Sequence, residues 1–176
     1  MVAGVGLGNM TQNLLGLSII LGFNSTIDTL VSQAAGAGDK KLCGVILNRG
    51  RFVMSILFIP IIVIMLNAKN ILVAVNMDPK VASYAQQYVL AFLPGLYIQG
   101  HADLQRRFLN SFGKNMVTFV CTAISIAFHV VWSHIFVIKL GYGIVGTGIA
   151  NLITCSITFV LLLIYTRTQE DIQDAI

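Results

Sequence analysis

Charge is what this chain has least of. Only 10% of its 176 residues are Asp, Glu, Lys or Arg, where a soluble globular domain carries about 25%. That scarcity excludes an ordinary soluble domain. Cysteine is scarce as well: three residues, two of them inside apolar runs, give neither a disulfide framework nor a Cys-rich metal site. The net charge of +4 comes from bases that flank apolar runs instead of forming one stripe with interleaved aromatics, so no nucleic-acid partner is expected. No paired carboxylates, metal-ligand cluster or activated nucleophile is present, which excludes an enzyme, a resident metal and a cofactor. Gly141–Gly146 spells GxGxxG. A dinucleotide fingerprint needs a strand before it and an acid about 20 residues on; both are missing, and helix packing explains these glycines better.

What the chain does have is long hydrophobic runs. It is 56% hydrophobic with a mean hydropathy of +0.83. Residues 1–27, 52–68, 81–102, 115–138 and 140–166 carry no charge. A helix needs about 20 mostly apolar residues to cross the hydrocarbon core, and the shortest block is extended by snorkelling Arg51 and Lys69. The expectation is an all-α, multi-pass membrane bundle of about five spans, near 8–34, 51–75, 79–111, 115–138 and 143–166. ILFIPIIVIML and ITFVLLLIY are apolar on every face, which excludes the alternation of a membrane β-barrel. The first block lacks the basic start and compact apolar centre of a signal peptide.

The few charges orient the bundle. Lys40, Lys41, Arg49, Arg51, Arg106, Arg107, Lys114 and Arg167 fall on one side, against Lys69, Lys80 and Lys139 on the other. The positive-inside rule makes the first side cytoplasmic, with the N-terminus outside and a preceding span expected. Asp78-Pro79 reads as a helix start. Gly36, Gly38 and Gly113 read as stops, and Pro60 and Pro94 as kinks within spans.

Polar groups inside the spans are the candidate functional residues. Asp28 shares a helical face with Ser25, Thr29 and Ser32. It serves either packing and gating near the cytoplasmic end, with its neighbours bonding it, or direct contact with ion or substrate. Asp103 stands three and four residues before Arg106 and Arg107, the spacing of an ion pair, with a transport role as the alternative. His129 suits a proton relay or a neutral hydrogen-bonded role. Asn151, with Thr147 and Thr154 on one face, lines a cavity or bonds a neighbouring helix. Gln33 and Pro94 complete the set.

A collinear series of motifs resembles the multidrug and toxic compound extrusion (MATE) family. IDTLVSQAAGAGD, from Ile27 to Asp39, resembles the family's LDTLxxQAxGAG. Gly44 to Arg49 resembles its G-x-x-x-Q-R turn, with Asn48 for Gln. Asp78-Pro79, the FLPGL run at Phe92–Leu96, Arg107-Phe108-Leu109-Asn110, Phe128-His129 and KLGYG at Lys139–Gly143 follow in order. The resemblance covers essentially the whole chain.

That resemblance implies helices two to six of the N-terminal lobe of a twelve-helix, two-lobed transporter. Residues 167–176 would then be a cytoplasmic tail or the start of an interlobe linker. The first helix and the C-terminal lobe are the implied partners, in a plasma membrane or an endomembrane such as the vacuole. The implied function is antiport: export of amphipathic, often cationic organic compounds in exchange for H⁺ or Na⁺, by alternating access between lobes. One departure matters. Where prokaryotic-type members place Asn and Asp on the fifth helix, this chain has His129 and Ser133, so the acid is missing. The rival readings are a flippase for a lipid-linked substrate, which should carry bases within its spans, and a non-transporting membrane scaffold.

Overall fold

The computed structural model describes residues 2–169 and 172. Helix α1 (Val2–Gln12), a π-helical turn (Asn13–Leu17) and α2 (Ser18–Gly36) run on as one rod. Both the backbone N–H and the hydroxyl of Ser18 donate to the Asn13 carbonyl, the hydroxyl at 2.8 Å, which satisfies the widened turn. The rod ends at Gly38, whose φ of +78° is the left-handed conformation favoured just past a helix. There the Asp39 N–H returns to the Ala34 carbonyl at 3.1 Å.

The Asp39 carboxylate then accepts the Leu42 N–H at 2.9 Å and caps α3 (Lys40–Leu66). This cap starts the helix well before position 51, where charge alone placed the second span. Arg49 and Arg51 lie inside the helix, near its basic end. A break at Asn67 leads into the short α4 (Ala68–Ala74). Gln86 covers the break: its amide oxygen accepts from the Lys69 N–H at 2.7 Å and its NH₂ donates to the Met65 carbonyl at 3.1 Å.

Asp78 accepts the N–H groups of Lys80 and Val81 at 2.8 and 3.1 Å and opens α5 (Pro79–Ser111). Helices α3 and α5 both continue through their prolines, Pro60 and Pro94. Gly113, at φ +74°, repeats the stop seen at Gly38. Helix α6 (Asn115–Ser133) passes into a second π-helical stretch (His134–Lys139), and α7 (Gly143–Thr168) closes the bundle. Most of the expected tail, residues 170–171 and 173–176, lies outside the described residues. Ile172 is buried at the basic end beside Val31, Cys43, Leu104 and Leu162.

Among the described residues four helical stretches are long and apolar enough to cross a membrane: Ala3–Gly36, Lys40–Leu66, Asn115–Lys139 and Gly143–Thr168. Helix α5 is the fifth crossing on topological grounds. Helices α3 and α4 deliver the chain to one end of the bundle and α6 leaves from the other. At about 1.5 Å per residue, its 33 residues are long enough to join them. Its low hydropathy comes from side chains such as His101, Asp103 and Gln105, all buried within the protein. The helix packs against every other α-helix.

The N-terminal rod and α5 run parallel with a constant register. The pairs Asn9–Tyr88, Asn24–Asp103, Asp28–Arg107 and Ser32–Ser111 each join residues 79 apart in sequence. One apolar cluster fills the middle of the bundle around Ile20, Met54, Phe58, Ile61 and Leu96. A second fills the basic end around Val31, Leu47, Leu104, Phe108 and Leu162.

Helices α5 and α7 meet backbone to backbone at Gly148. A Cβ there would stand 2.7 Å from the Ala91 carbonyl carbon and closer still to its oxygen. Backbone cannot move aside as a side-chain tip can. Gly148→Ala should therefore cost about 1–3 kcal/mol, the usual range for overpacking. Gly22→Ala should cost nothing, since a Cβ at Gly22 meets nothing within 4 Å. Reversible unfolding of the two variants in mixed micelles measures the difference.

Candidate functional site

Two acids expected to matter, Asp28 and Asp103, are joined through one guanidinium. Arg107 donates from Nε to Asp103 Oδ2 at 2.9 Å and from Nη1 to Asp28 Oδ2 at 3.1 Å. Arg106 pairs with the other oxygen of Asp103. Asn24 donates its NH₂ to Asp103 Oδ2 at 3.0 Å and to the Gly100 carbonyl at 3.1 Å. Asp103 is thus 6% exposed and accepts from three side chains, while Asp28 is 37% exposed and rests on one. Two carboxylates and two guanidiniums leave the cluster neutral.

The polar neighbours of Asp28 on its own helix do not bond it. Asn24 turns to Asp103, Thr29 donates to the Ser25 carbonyl at 3.1 Å, and Ser32 bonds Ser111 at 3.1 Å. Side chains on one helix face lie beside one another, but each finds a better-aligned partner in its own preceding turn or across on α5.

Beside this cluster, on the α6–α7 side, lies a cavity of about 370 Å³. Leu17, Ile20 and Leu21 form its apolar wall. Asp103 and Arg106 lie at one end, and Gln99, Thr122, Ser125, Asn151, Thr154 and Thr158 supply the remaining polar surface. Four of those hydroxyls donate to the carbonyl one turn back, at distances between 2.7 and 2.9 Å: Thr122 to Thr118, Ser125 to Cys121, Thr154 to Ala150 and Thr158 to Thr154. A hydroxyl has one proton and two lone pairs. With the protons directed into the helices, what remains for a guest is acceptor capacity.

His129 stands behind this wall. Its Nδ1 lies 2.8 Å from Thr154 Oγ1. When Thr154 gives its single proton to the Ala150 carbonyl, Nδ1 is the donor in this contact. Asn151 lines the cavity, and its amide NH₂ occupies the space a side chain on Gly95 would fill. Pro94, one residue earlier, is exposed and does not line the cavity. Gln33 is exposed near the basic end, where its carbonyl accepts the Ala37 N–H at 3.0 Å. Of the six candidates, Asp103 and Asn151 line the cavity, His129 stands one contact away through Thr154, and Asp28 stands two away through Arg107 and Asp103. Among the described residues no three His, Cys, Asp or Glu side chains gather as a metal site.

Sequence reading missed Gln105, the hydroxyls of α6, and the reach of Asn24 and Arg107 across to the facing helix. Gln105 is fully buried, receives Arg51 on its oxygen and donates to Thr166 Oγ1 at 2.6 Å, tying α3, α5 and α7 together. The α6 signal was available: Thr118, Thr122, Ser125 and His129 recur at helical spacing in an otherwise apolar run.

The known proteins this chain resembles share its fold and its family. The MatE family model matches residues 1–135. The chain is 34% identical over 166 residues to multidrug and toxin extrusion protein 1 of Danio rerio, covering 94% of the chain and 28% of that protein. It is 32% identical over 152 residues to protein DETOXIFICATION 17 of Arabidopsis thaliana, covering 86% and 32% respectively. The crystal structure of the eukaryotic MATE transporter AtDTX14 superposes with a TM-score of 0.92 at 22% identity, covering 98% of this chain and 39% of that one. The chain therefore spans about a third or less of the curated relatives it matches, and its helices correspond to part of a lobe. A multi-pass membrane protein in sequence and in fold, this chain belongs to the MatE family.

Proposed function

We propose that this chain forms most of the N-terminal lobe of an antiporter that exports amphipathic, often cationic organic compounds in exchange for H⁺ or Na⁺. The observation that carries the reading is the cavity wall: apolar on one side and rich in free lone pairs on the other. Such a surface receives an apolar cation or a hydrogen-bond donor and gives an anion no unpaired positive charge. Its one cationic side chain, Arg106, is paired with Asp103, which argues against a flippase carrying a phosphorylated headgroup. A first helix and a C-terminal lobe would close the cavity from the other side, and lobes rocking about it would give alternating access.

The test is gradient-driven efflux of a fluorescent organic cation from proteoliposomes. The 176-residue chain alone should give none, because a cavity formed between lobes needs both. In a complete transporter carrying this segment, Ser125→Ala with Thr158→Val should raise the half-saturating cation concentration. The rise should be about 5–150-fold, since two hydrogen bonds worth about 0.5–1.5 kcal/mol each are lost. Robust efflux from the chain alone, or an unchanged concentration dependence in the double variant, would sink this reading.

A further inference from the structure

The carboxylate in the cavity wall is already filled. Asp103 Oδ1 pairs with Arg106, and Oδ2 accepts from Arg107 at 2.9 Å and from Asn24 at 3.0 Å. Among the described lining residues there is no second carboxylate, and none is Phe, Tyr or Trp. A cation without N–H groups, such as a quaternary ammonium, is typically recognised by the faces of aromatic rings. This wall offers it none.

What the wall does offer is hydroxyl oxygen. Thr122, Ser125 and Thr158 each give their proton to the carbonyl one turn back, and no described group donates to any of the three. Each therefore keeps two lone pairs. Thr154 differs, because His129 Nδ1 already stands 2.8 Å from its oxygen and leaves it one lone pair. Thr122 and Thr158 are both part-exposed and come from the two helices that face each other across this end of the cavity. A lone pair is a directional acceptor, and it weakens steeply unless an N–H or O–H is aimed at it.

Resting on the transport reading above, we propose that this wall selects cations carrying N–H groups, protonated amines and guanidiniums, over quaternary ammoniums with the same tail. Thr122 and Thr158 are the specificity-determining residues. The N–H groups donate to hydroxyls of α6 and α7, and the tail lies against Leu17, Ile20 and Leu21. The volume of about 370 Å³ falls within the roughly 300–1,000 Å³ of sites that take such molecules.

A methylation series tests this on a complete transporter carrying the segment, purified in detergent micelles. The probes are butylammonium, its N-methyl and N,N-dimethyl derivatives, and butyltrimethylammonium, which carries no N–H. Each displaces a bound fluorescent amine, so the readout is binding and no permeant amine can collapse a gradient. All four keep the charge and the tail, and added methyls alone would strengthen binding to an apolar wall. The half-displacing concentration should instead rise along the series. Butyltrimethylammonium should be weaker than butylammonium by about tenfold or more, the size of one hydrogen bond to a charged group. Thr122→Val with Thr158→Val keeps the shape and removes the oxygens, and should bring that ratio below about threefold. Butyltrimethylammonium should displace from this variant within about twofold of its wild-type concentration, which shows the cavity intact. Ser156→Ala removes a hydroxyl that also bonds its own preceding turn, at 2.7 Å, but does not line the cavity. It should leave the ratio in place. Equal potency of the first and last probes on the wild type overturns the proposal. So does displacement by none of the four, a ratio that survives the double variant, or one that falls equally in Ser156→Ala. Selectivity without gradient-driven efflux in proteoliposomes supports the proposal and overturns only the transport reading; efflux without selectivity does the reverse.

Discussion

Replacing Asp103 by leucine should cost the bundle about 3–5 kcal/mol, the range for stripping one partner from a buried ion pair. That is a large share of a typical stability of about 5–15 kcal/mol. The carboxylate accepts from Arg106, Arg107 and Asn24 at once, on two helices. Arg106 is 43% exposed and can turn outward. Arg107 keeps Asp28, but its Nε is left unmet, and the NH₂ of the fully buried Asn24 retains only Gly100. Asp103→Asn should cost less, because an amide oxygen still serves Arg107 or Asn24. The loss should be largely reversed only in a variant that also carries Arg106→Leu, Arg107→Leu, Asp28→Leu and Asn24→Leu, since removing the whole network leaves neither an orphaned charge nor an unmet buried amide. Unfolding in mixed micelles gives the free energies. The rate at which a maleimide reaches Cys43, fully buried in the basic-end cluster, reports whether that end has opened. Unchanged stability and an unreactive Cys43 in Asp103→Leu would show that the cluster does not hold the helices together.

The elements of this network were legible in the sequence, but its connections were not. Three- and four-residue spacing is fixed by the helix itself, so the pairs of Asp103 with Arg106 and Arg107 could be read directly. The Asp78 cap is equally local, and so is the Asp39 cap, which went unread because charge placed the second span nearer position 51. The 79-residue register that sets Asn24 against Asp103 and Asp28 against Arg107 is a tertiary fact. It depends on where α2 and α5 touch, which the sequence between them only permits. Gly100 bears on this: a Cβ there would stand 3.2 Å from Ile20 and strike Met54. That close approach brings the two polar rows within reach of each other. The hydroxyls of α6 went unread for a different reason. In a run this apolar the mean hydropathy hides a minority polar stripe, and such a stripe marks the one face of the helix that does not meet lipid.

Asp28→Asn should leave most of the transport activity of a complete transporter intact, within about twofold, whereas Arg107→Met should reduce it more than tenfold. Asp28 is more than a third exposed, and pairs of that kind contribute about 0–1 kcal/mol. An asparagine there keeps an oxygen for Arg107 and leaves Asp103 untouched. Removing Arg107 does more. It takes one donor from buried Asp103 and the sole partner from Asp28, leaving net negative charge where α2 and α5 pack at the basic end. A hydrogen bond to a buried charged group contributes about 1.5–3 kcal/mol, so losing the one to Asp103 is by itself enough to displace the equilibrium between conformations by the required factor. Asp28→Leu should fall between the two, because Arg107 then keeps only Asp103. A cation site at Asp28 makes the opposite demand. The ion needs the charge, so Asn would fail as completely as Leu and the dependence on ΔpH or sodium would vanish with it. Initial efflux rates against an imposed proton or sodium gradient, normalised to protein in the membrane, separate the two cases. The geometry favours the first, since Asp28 Oδ2 already holds the Arg107 guanidinium at 3.1 Å and that positive charge opposes a cation at the same carboxylate. An ion competing for it would have to displace a charge tethered to the neighbouring helix.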